Sequence, residues 1–241
     1  MNPADLQSLE RATVEAVAPP EILEIGGWLV PLDNGAIGRA KSAVPLSHDL
    51  GPRALDEIEA AYRQRGLSAG FRIADVDALE PIRADLSRRG YAAQQPTVFK
   101  TGPVSQLAMF SEASATILTT PDDAWAAIFV GEGFDPVDGA SRVAALTRSP
   151  DALYAAAGEG GETRAVGVMT FGHGWAGIHG MRTAPAHRGK GLASNILAAL
   201  GRAAQARGVT RVFLQVEEAN PARRLYRKAG LTQAWRYCYW R

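Results

Sequence analysis

The chain has 241 residues, enough for one large domain or two small ones, and its 46% hydrophobic and 21% charged composition supports a buried core. Lysine and arginine total 26 against 25 aspartate and glutamate, so no global field favours nucleic acid or a membrane surface. A single cysteine, Cys238, excludes an internal disulfide framework, and four scattered histidines give no reason to expect a metal site.

The opening segment, MNPADLQSLERATVEAV, carries acids early and no apolar signal core, and no apolar run is long enough to span a bilayer. A soluble, cytoplasmic protein with neither membrane nor nucleic-acid partners is expected. GWLVPLD and AIGRAKSAV then read as strands joined by an Asn34-Gly35 turn. Leu55, Ile58 and Tyr62 fall at helical spacing, with Gly66 as the stop. FRIAD follows as a short strand. Pro81 opens a second helix whose stripe is Leu79, Ile82 and Leu86, and Gly90 closes it. An extended segment around Thr97–Phe99 leads to Gly102-Pro103.

Further along, RAVGVMTFG and WAGIHGMRT read as strands joined by His173-Gly174. Leu192, Ile196, Leu200 and Ala203 predict a helix ended by Gly208, and RVFLQVE predicts a strand. Asn220 is an N-cap candidate backed by Pro221; Gly230 ends that helix before the strand-like AWRYCYW.

The two halves repeat each other. Gly66 and Phe71 match Gly208 and Phe213, 142 positions on, while Pro81 and Gly90 match Pro221 and Gly230, 140 on. One two-residue indel reconciles the offsets. The expected class is therefore α/β: two tandem copies, residues 1–103 and 104–241, each a mixed, mostly antiparallel sheet flanked by helices. A single long domain is the alternative.

The run RTAPAHRGKGLA, residues 182–193, passes from a predicted strand into a predicted helix. Free N–H groups and the positive end of the helix dipole there suit a phosphate or pyrophosphate. Glycines at 189 and 191 let the backbone approach it, and Arg188 and Lys190 add charge. A Walker loop would need Ser or Thr where Gly191 stands, and a dinucleotide loop would need glycine at Ser194.

The run instead resembles the pyrophosphate loop of the GNAT superfamily of N-acyltransferases, Arg/Gln-x-x-Gly-x-Gly/Ala, at Arg188, Gly191 and Ala193. GMRTAP before it and EEANPARRLYRKAGL after it resemble the flanking regions of that family, with Leu231 in place of its usual Phe. The likeness covers about residues 105–241, and the first half joins it through the repeat. It implies tandem GNAT-like domains and acetyl-coenzyme A as cosubstrate, with no metal. The pyrophosphate would rest on Gly189, Lys190, Gly191, Leu192, Ala193 and Ser194. The pantetheine arm would lie along Met181, Arg182 and Thr183, within reach of Asn220.

The implied reaction is attack of a neutral primary amine on the thioester, with Tyr226 protonating the departing thiolate. Packing on its helix is the alternative for Tyr226. Many family members carry a basic glutamate where this chain has Gly177, so His179 and Glu217, with Glu218 beside it, are the candidate bases. A hydrogen-bonded strand histidine is the other reading of His179. The first copy has Leu86 in the place of Tyr226 and no anion loop, so it is expected to be a degenerate domain that shapes the acceptor site. Cys238 is expected to be buried and inert. The acceptor is left open between a small molecule and a peptide, the assembly between monomer and homodimer. A non-catalytic acyl-coenzyme A sensor is the rival function. An acidic groove between the copies would suit a basic peptide; an enclosed apolar pocket would suit a small amine.

Overall fold

The computed structural model describes residues 2–241. Helix α1 (Pro3–Glu15) is capped by Asn2, whose side chain accepts the Asp5 amide at 2.8 Å. Gly26 and Gly27, at φ 54° and 84°, then fold β1 (Glu21–Ile25) onto β2 (Trp28–Leu32) as an antiparallel hairpin. The strand expected after Asn34-Gly35 does not form. Gly38–Lys41 is a 3-10 turn, and only Val44–Pro45 (β3) is extended. The cause is local and tertiary. Asp33 accepts the Gly35 amide in an Asx turn, and the Ala36 amide donates to Ser141 Oγ at 3.0 Å, drawing the segment toward the second half. Helix α2 (Leu55–Gln64), β4 (Phe71–Ala74), α3 (Glu80–Arg88) and β5 (Ala93–Pro103) follow in the expected order.

The second half begins with α4 (Val104–Ala108), β6 (Thr116–Leu118), α5 (Asp123–Val130) and α6 (Pro136–Leu146). Asp122 and Asp135 cap the latter two helices through their carboxylates. Next come β7 (Ala152–Glu159), β8 (Glu162–Gly172) and β9 (Trp175–Thr183). His173 and Gly174, at φ 51° and 77°, make the predicted hairpin between β8 and β9. Helix α7 (Leu192–Ala206), β10 (Arg211–Glu217), α8 (Arg223–Lys228) and β11 (Thr232–Trp240) complete the chain.

The strands do not stay within the halves that encode them. One sheet holds β1-β2-β3; the other has eight strands in the order β4-β11-β5-β10-β9-β8-β7-β6. All its neighbours are antiparallel except β9 and β10. Each copy thus lends its last strand to the other: β11 lies against β4, and β5 against β10. Thr97 and Tyr237, which are 140 positions apart like Gly90 and Gly230, stand opposite each other in the central β5–β11 pair. An approximate internal two-fold therefore passes through the middle of the sheet. A parallel bridge from Ala43 to Phe71 ties the small sheet to the large one.

Helix α7 buries Leu192, Ile196, Leu197 and Leu200 against Leu153, Met169 and Ile178 of the sheet. On the other face, Trp125 and Phe129 of α5 and Leu146 of α6 cover Tyr154, Val166 and Val168. Each such side chain contributes about 1.5–3 kcal/mol by leaving water. A third core joins Trp28, Tyr62 and Phe71 of the first half to Phe213, Trp235 and Tyr237 of the second. Within it, Arg72 of β4 meets Glu10 of α1 at 2.5 Å, the side chains 1% and 3% exposed. Among the described residues no helix is long and apolar enough to cross a membrane.

Candidate active site

Between β9 and α7 the chain makes a 3-10 turn at Pro185–His187 and then two left-handed residues, Gly189 (φ 78°) and Gly191 (φ 82°). The first amides of α7 to find a backbone carbonyl are those of Ser194 and Asn195, both on Gly191. Among the described residues, the amides of 189–193 donate to no backbone carbonyl. Five unpaired donors at the positive end of a 15-residue helix form a site for an anion. A Cβ at either glycine would meet nothing within 4 Å, so the space above the loop is open. These features fit the pyrophosphate of a coenzyme A ester.

Upstream, β9 and β10 pair only from Ala176 to Ile178, although β9 runs on to Thr183 and β10 to Glu217. Against β8, β9 bulges at Gly180 (φ 58°), between the pairs His179–Val168 and Arg182–Val166; a Cβ at Gly180 would come within 2.7 Å of Leu146. The main chain of residues 179–183 consequently has no strand partner on its β10 side. This cleft is where an extended arm can add as a strand.

Two cavities meet at the cleft. The larger, about 1010 Å³, is lined by Thr183, Arg188, Gly189 and Gly191, and by Leu192, Ala193 and Ser194 at the start of α7. The smaller, about 400 Å³, lies between the copies. Met181, Arg182, Glu217, Asn220 and Tyr226 line both. Of the residues expected at the site, the cavities gather all but Lys190, whose ammonium turns out to Glu159 at 3.5 Å, and Glu218, which pairs with Arg236 at 3.2 Å. Arg188 Nε reaches the Thr183 carbonyl at 3.4 Å. Asn220 accepts the Ala222 amide at 2.9 Å and shapes the turn before α8, two residues earlier than an N-cap proper.

Tyr226 is 8% exposed, and burial pushes its phenol up to about 12, so it stays protonated at any working pH. Glu217 is exposed at the junction and accepts Gln95 Nε2 at 2.7 Å. His179 is 3% exposed, with Nε2 3.1 Å from Thr170 Oγ1 and Nδ1 without a partner. Burial first, and the charge of Arg39 second, push its pKa well below the usual imidazole range. It is a neutral wall of the smaller cavity. Cys238 lines neither cavity, and burial raises its thiol.

Sequence reasoning missed most of the smaller cavity. Its floor is a row across three strands, Glu217, Thr97 and Tyr237, set by the register of β10, β5 and β11. Tyr239 and Arg241 continue the Tyr237 face. Arg39 enters from the 3-10 turn and Arg142 from α6. Gly38 makes the close approach possible: a Cβ there would fall 2.8 Å from the Tyr239 ring and 2.9 Å from the Arg241 guanidinium. The alternation in WRYCYW was the available signal for Tyr237 and Tyr239; the turn carrying Arg39 had none.

Over residues 3–240 the chain matches the family described as "Probable histone acetyltransferase Rv0428c C-terminal". It is 31% identical over 219 residues to the "Probable histone acetyltransferase Rv0428c" of Mycobacterium tuberculosis, covering 89% of this chain and 67% of that protein. Among solved structures it is similar to a GCN5-related N-acetyltransferase from Kribbella flavida, with a TM-score of 0.72 at 16% identity, covering 96% of this chain and 93% of that one. It is also similar to a tandem GNAT protein from the clavulanic acid biosynthesis pathway, with a TM-score of 0.63 at 16% identity over 98% and 92% of the two chains. At those identities the likeness is one of fold.

Proposed function

The chain belongs to the Rv0428c C-terminal acetyltransferase family, and from that premise we propose that it moves an acetyl group from acetyl-coenzyme A to a primary amine by direct attack. The observation that carries the reading is the junction: five residues line both cavities, so a molecule in each would meet beside Tyr226. Residues 104–241 carry the anion loop and the acid. Residues 1–103, with Leu86 where the second copy has Tyr226, act as a non-catalytic copy that walls the acceptor cavity through Arg39, Gln95 and Thr97.

When bound, acetyl-coenzyme A supplies an activated acyl carbon. The amides of residues 189–193 hold its pyrophosphate, and Arg188 adds charge at the rim. Met181, Arg182 and Thr183 align the arm along the free side of β9, and their main chain faces the position where the carbonyl oxygen gains charge. Tyr226 holds its proton until the sulfur departs and then donates it. The amine gives its proton to Glu217 directly or through water, since His179 resists becoming a buried cation beside Arg39.

Calorimetric titration with acetyl-coenzyme A, followed by thiol release over a panel of amines, tests the proposal. Binding with release on one amine class supports it. Failure to bind refutes the loop assignment, and binding without release on any amine favours the acyl-coenzyme A sensor.

A further inference from the structure

Building on the reading of the smaller cavity as the acceptor site, we infer that the acceptor is a small amine that itself carries an anionic group, a carboxylate or a phosphate ester. Arg39 and Arg241 bind that group, with Arg142 beside them. The cationic lining of the cavity disfavours a lysine-rich protein segment.

Charge is the first observation. Four guanidinium groups line the cavity, those of Arg39, Arg142, Arg182 and Arg241, against one carboxylate. That carboxylate, Glu217, stands at the cofactor end and is already held by Gln95. Asp138 offsets part of the charge, lying 2.7 Å from Arg142 and 3.2 Å from Arg182. Neither Arg39 nor Arg241 has a carboxylate within ion-pair distance among the described residues.

Arg39 is the second. Its Nη1 donates to Gln215, its Nε is sealed from solvent with no partner, and burial, with Arg72 and Arg142 nearby, lowers its pKa. With its Nε sealed and no counter-charge in reach, this half-buried guanidinium carries a desolvation cost in the free protein. Such violations concentrate where a ligand completes the pairing. Tyr237 and Tyr239 add hydroxyl groups on the same face, and burial keeps Tyr237 protonated as a donor. Gly38 packs the turn closely on Tyr239 and Arg241, and Arg39, the next residue, lines the same cavity as Arg241.

The same charges assist the chemistry. An ammonium among guanidinium groups loses its proton more readily, so the amine enters in its reactive neutral form. Its nitrogen then bonds to the acyl carbon, the carbon–sulfur bond breaks, and Tyr226 protonates the sulfur. The surplus amine proton leaves through Glu217. The products are free coenzyme A and an N-acetyl derivative that keeps its anionic group. A peptide rich in lysine would add positive charge to a cavity already lined by four guanidinium groups against one side-chain carboxylate.

The test compares matched pairs on the full chain: amino acids against their amides, and amino-sugar phosphates against the free amino sugars. Thiol release is expected to favour the anionic member, by about tenfold to hundredfold in kcat/KM, and the two families of pairs separate carboxylate from phosphate. Arg39→Gln is expected to erase most of that preference through KM, leaving acetyl-coenzyme A affinity unchanged. Exposed Arg241→Gln repeats the test without touching a buried group. In parallel, coenzyme A-loaded protein is titrated calorimetrically with inorganic phosphate. Heat of binding that is lost in Arg39→Gln supports the site even when no panel amine reacts. Equal use of both members of every pair, a preference for a basic histone-tail peptide, or phosphate binding unaltered by either variant overturns the inference. Loss of acetyl-coenzyme A binding or of all transfer instead strikes the acetyltransferase reading, so the two failures are distinguishable.

Discussion

Arg72→Met isolates the one fully buried ion pair among the described residues of the first copy. The substitution keeps most of the aliphatic stem and removes the guanidinium, which pairs with Glu10 and lies 5.2 Å from the centre of the Tyr237 ring. Glu10 is then an uncompensated carboxylate, 3% exposed, in the core that joins the halves. Breaking a buried pair in this way costs about 3–5 kcal/mol, whereas an exposed pair would cost about 0–1 kcal/mol. For a chain of this size the loss corresponds to a fall of about 6–20 °C in Tm. Urea unfolding at pH 7 measures it, with Glu10→Gln/Arg72→Met as the control that removes both charges. The double variant is expected to recover much of the loss. A deficit under about 1 kcal/mol would mean that Glu10 is solvated, and would refute the reasoning.

Gly191→Asp is expected to weaken acetyl-coenzyme A binding by at least about a hundredfold, because a carboxylate would replace the anion. Its fold should survive, since a Cβ there meets nothing within 4 Å and the positive φ adds about 1–2 kcal/mol of strain; calorimetry and a melting curve check both. Tyr226→Phe should lower kcat by about 10²–10⁴ while leaving acetyl-coenzyme A affinity intact. With its phenol pushed up to about 12, any alkaline fall in wild-type rate below pH 11 must come from another group. His179→Gln addresses stability against pH. The folded imidazole lies below its unfolded value of about 6.5, so unfolding takes up a proton and stability drops as pH falls below that point, by about 1.4 kcal/mol per unit per imidazole. The variant should flatten that slope in urea midpoints between pH 7.5 and 5, though not abolish it, because half-buried His48 is lowered too.

Elements whose signals are local were legible in the sequence. His173-Gly174, the stops at Gly66, Gly90, Gly208 and Gly230, and the loop glycines at 189 and 191 all require left-handed backbone, and each adopts it. The Asn34-Gly35 hairpin failed because Asp33 and Ser141, one of them over a hundred residues away, capture the turn's amides. The hairpin that does form uses Gly26-Gly27. Sequence similarity identified corresponding strands in the two copies, yet a repeat carries no information about which neighbour a strand takes. The exchange of β5 and β11 was therefore invisible, and with it the row of Glu217, Thr97 and Tyr237 under the smaller cavity. The anion loop was legible because one segment holds all its parts. The arginine-lined cavity draws on a turn, a helix and a strand spread over two hundred residues, and no local pattern joins them.

The exchanged strands also bear on how such a chain is made and how it diverges. As the chain leaves the ribosome, the sheet stays open beside β4 and β5 until β11, the latest of its strands, has emerged. A fragment cut after residue 103 would carry away the strand that separates β10 from β11 and leave raw edges on both pieces. Neither copy can therefore complete the sheet alone, and the last strand of the first copy lies under the smaller cavity beside its twin's Tyr226.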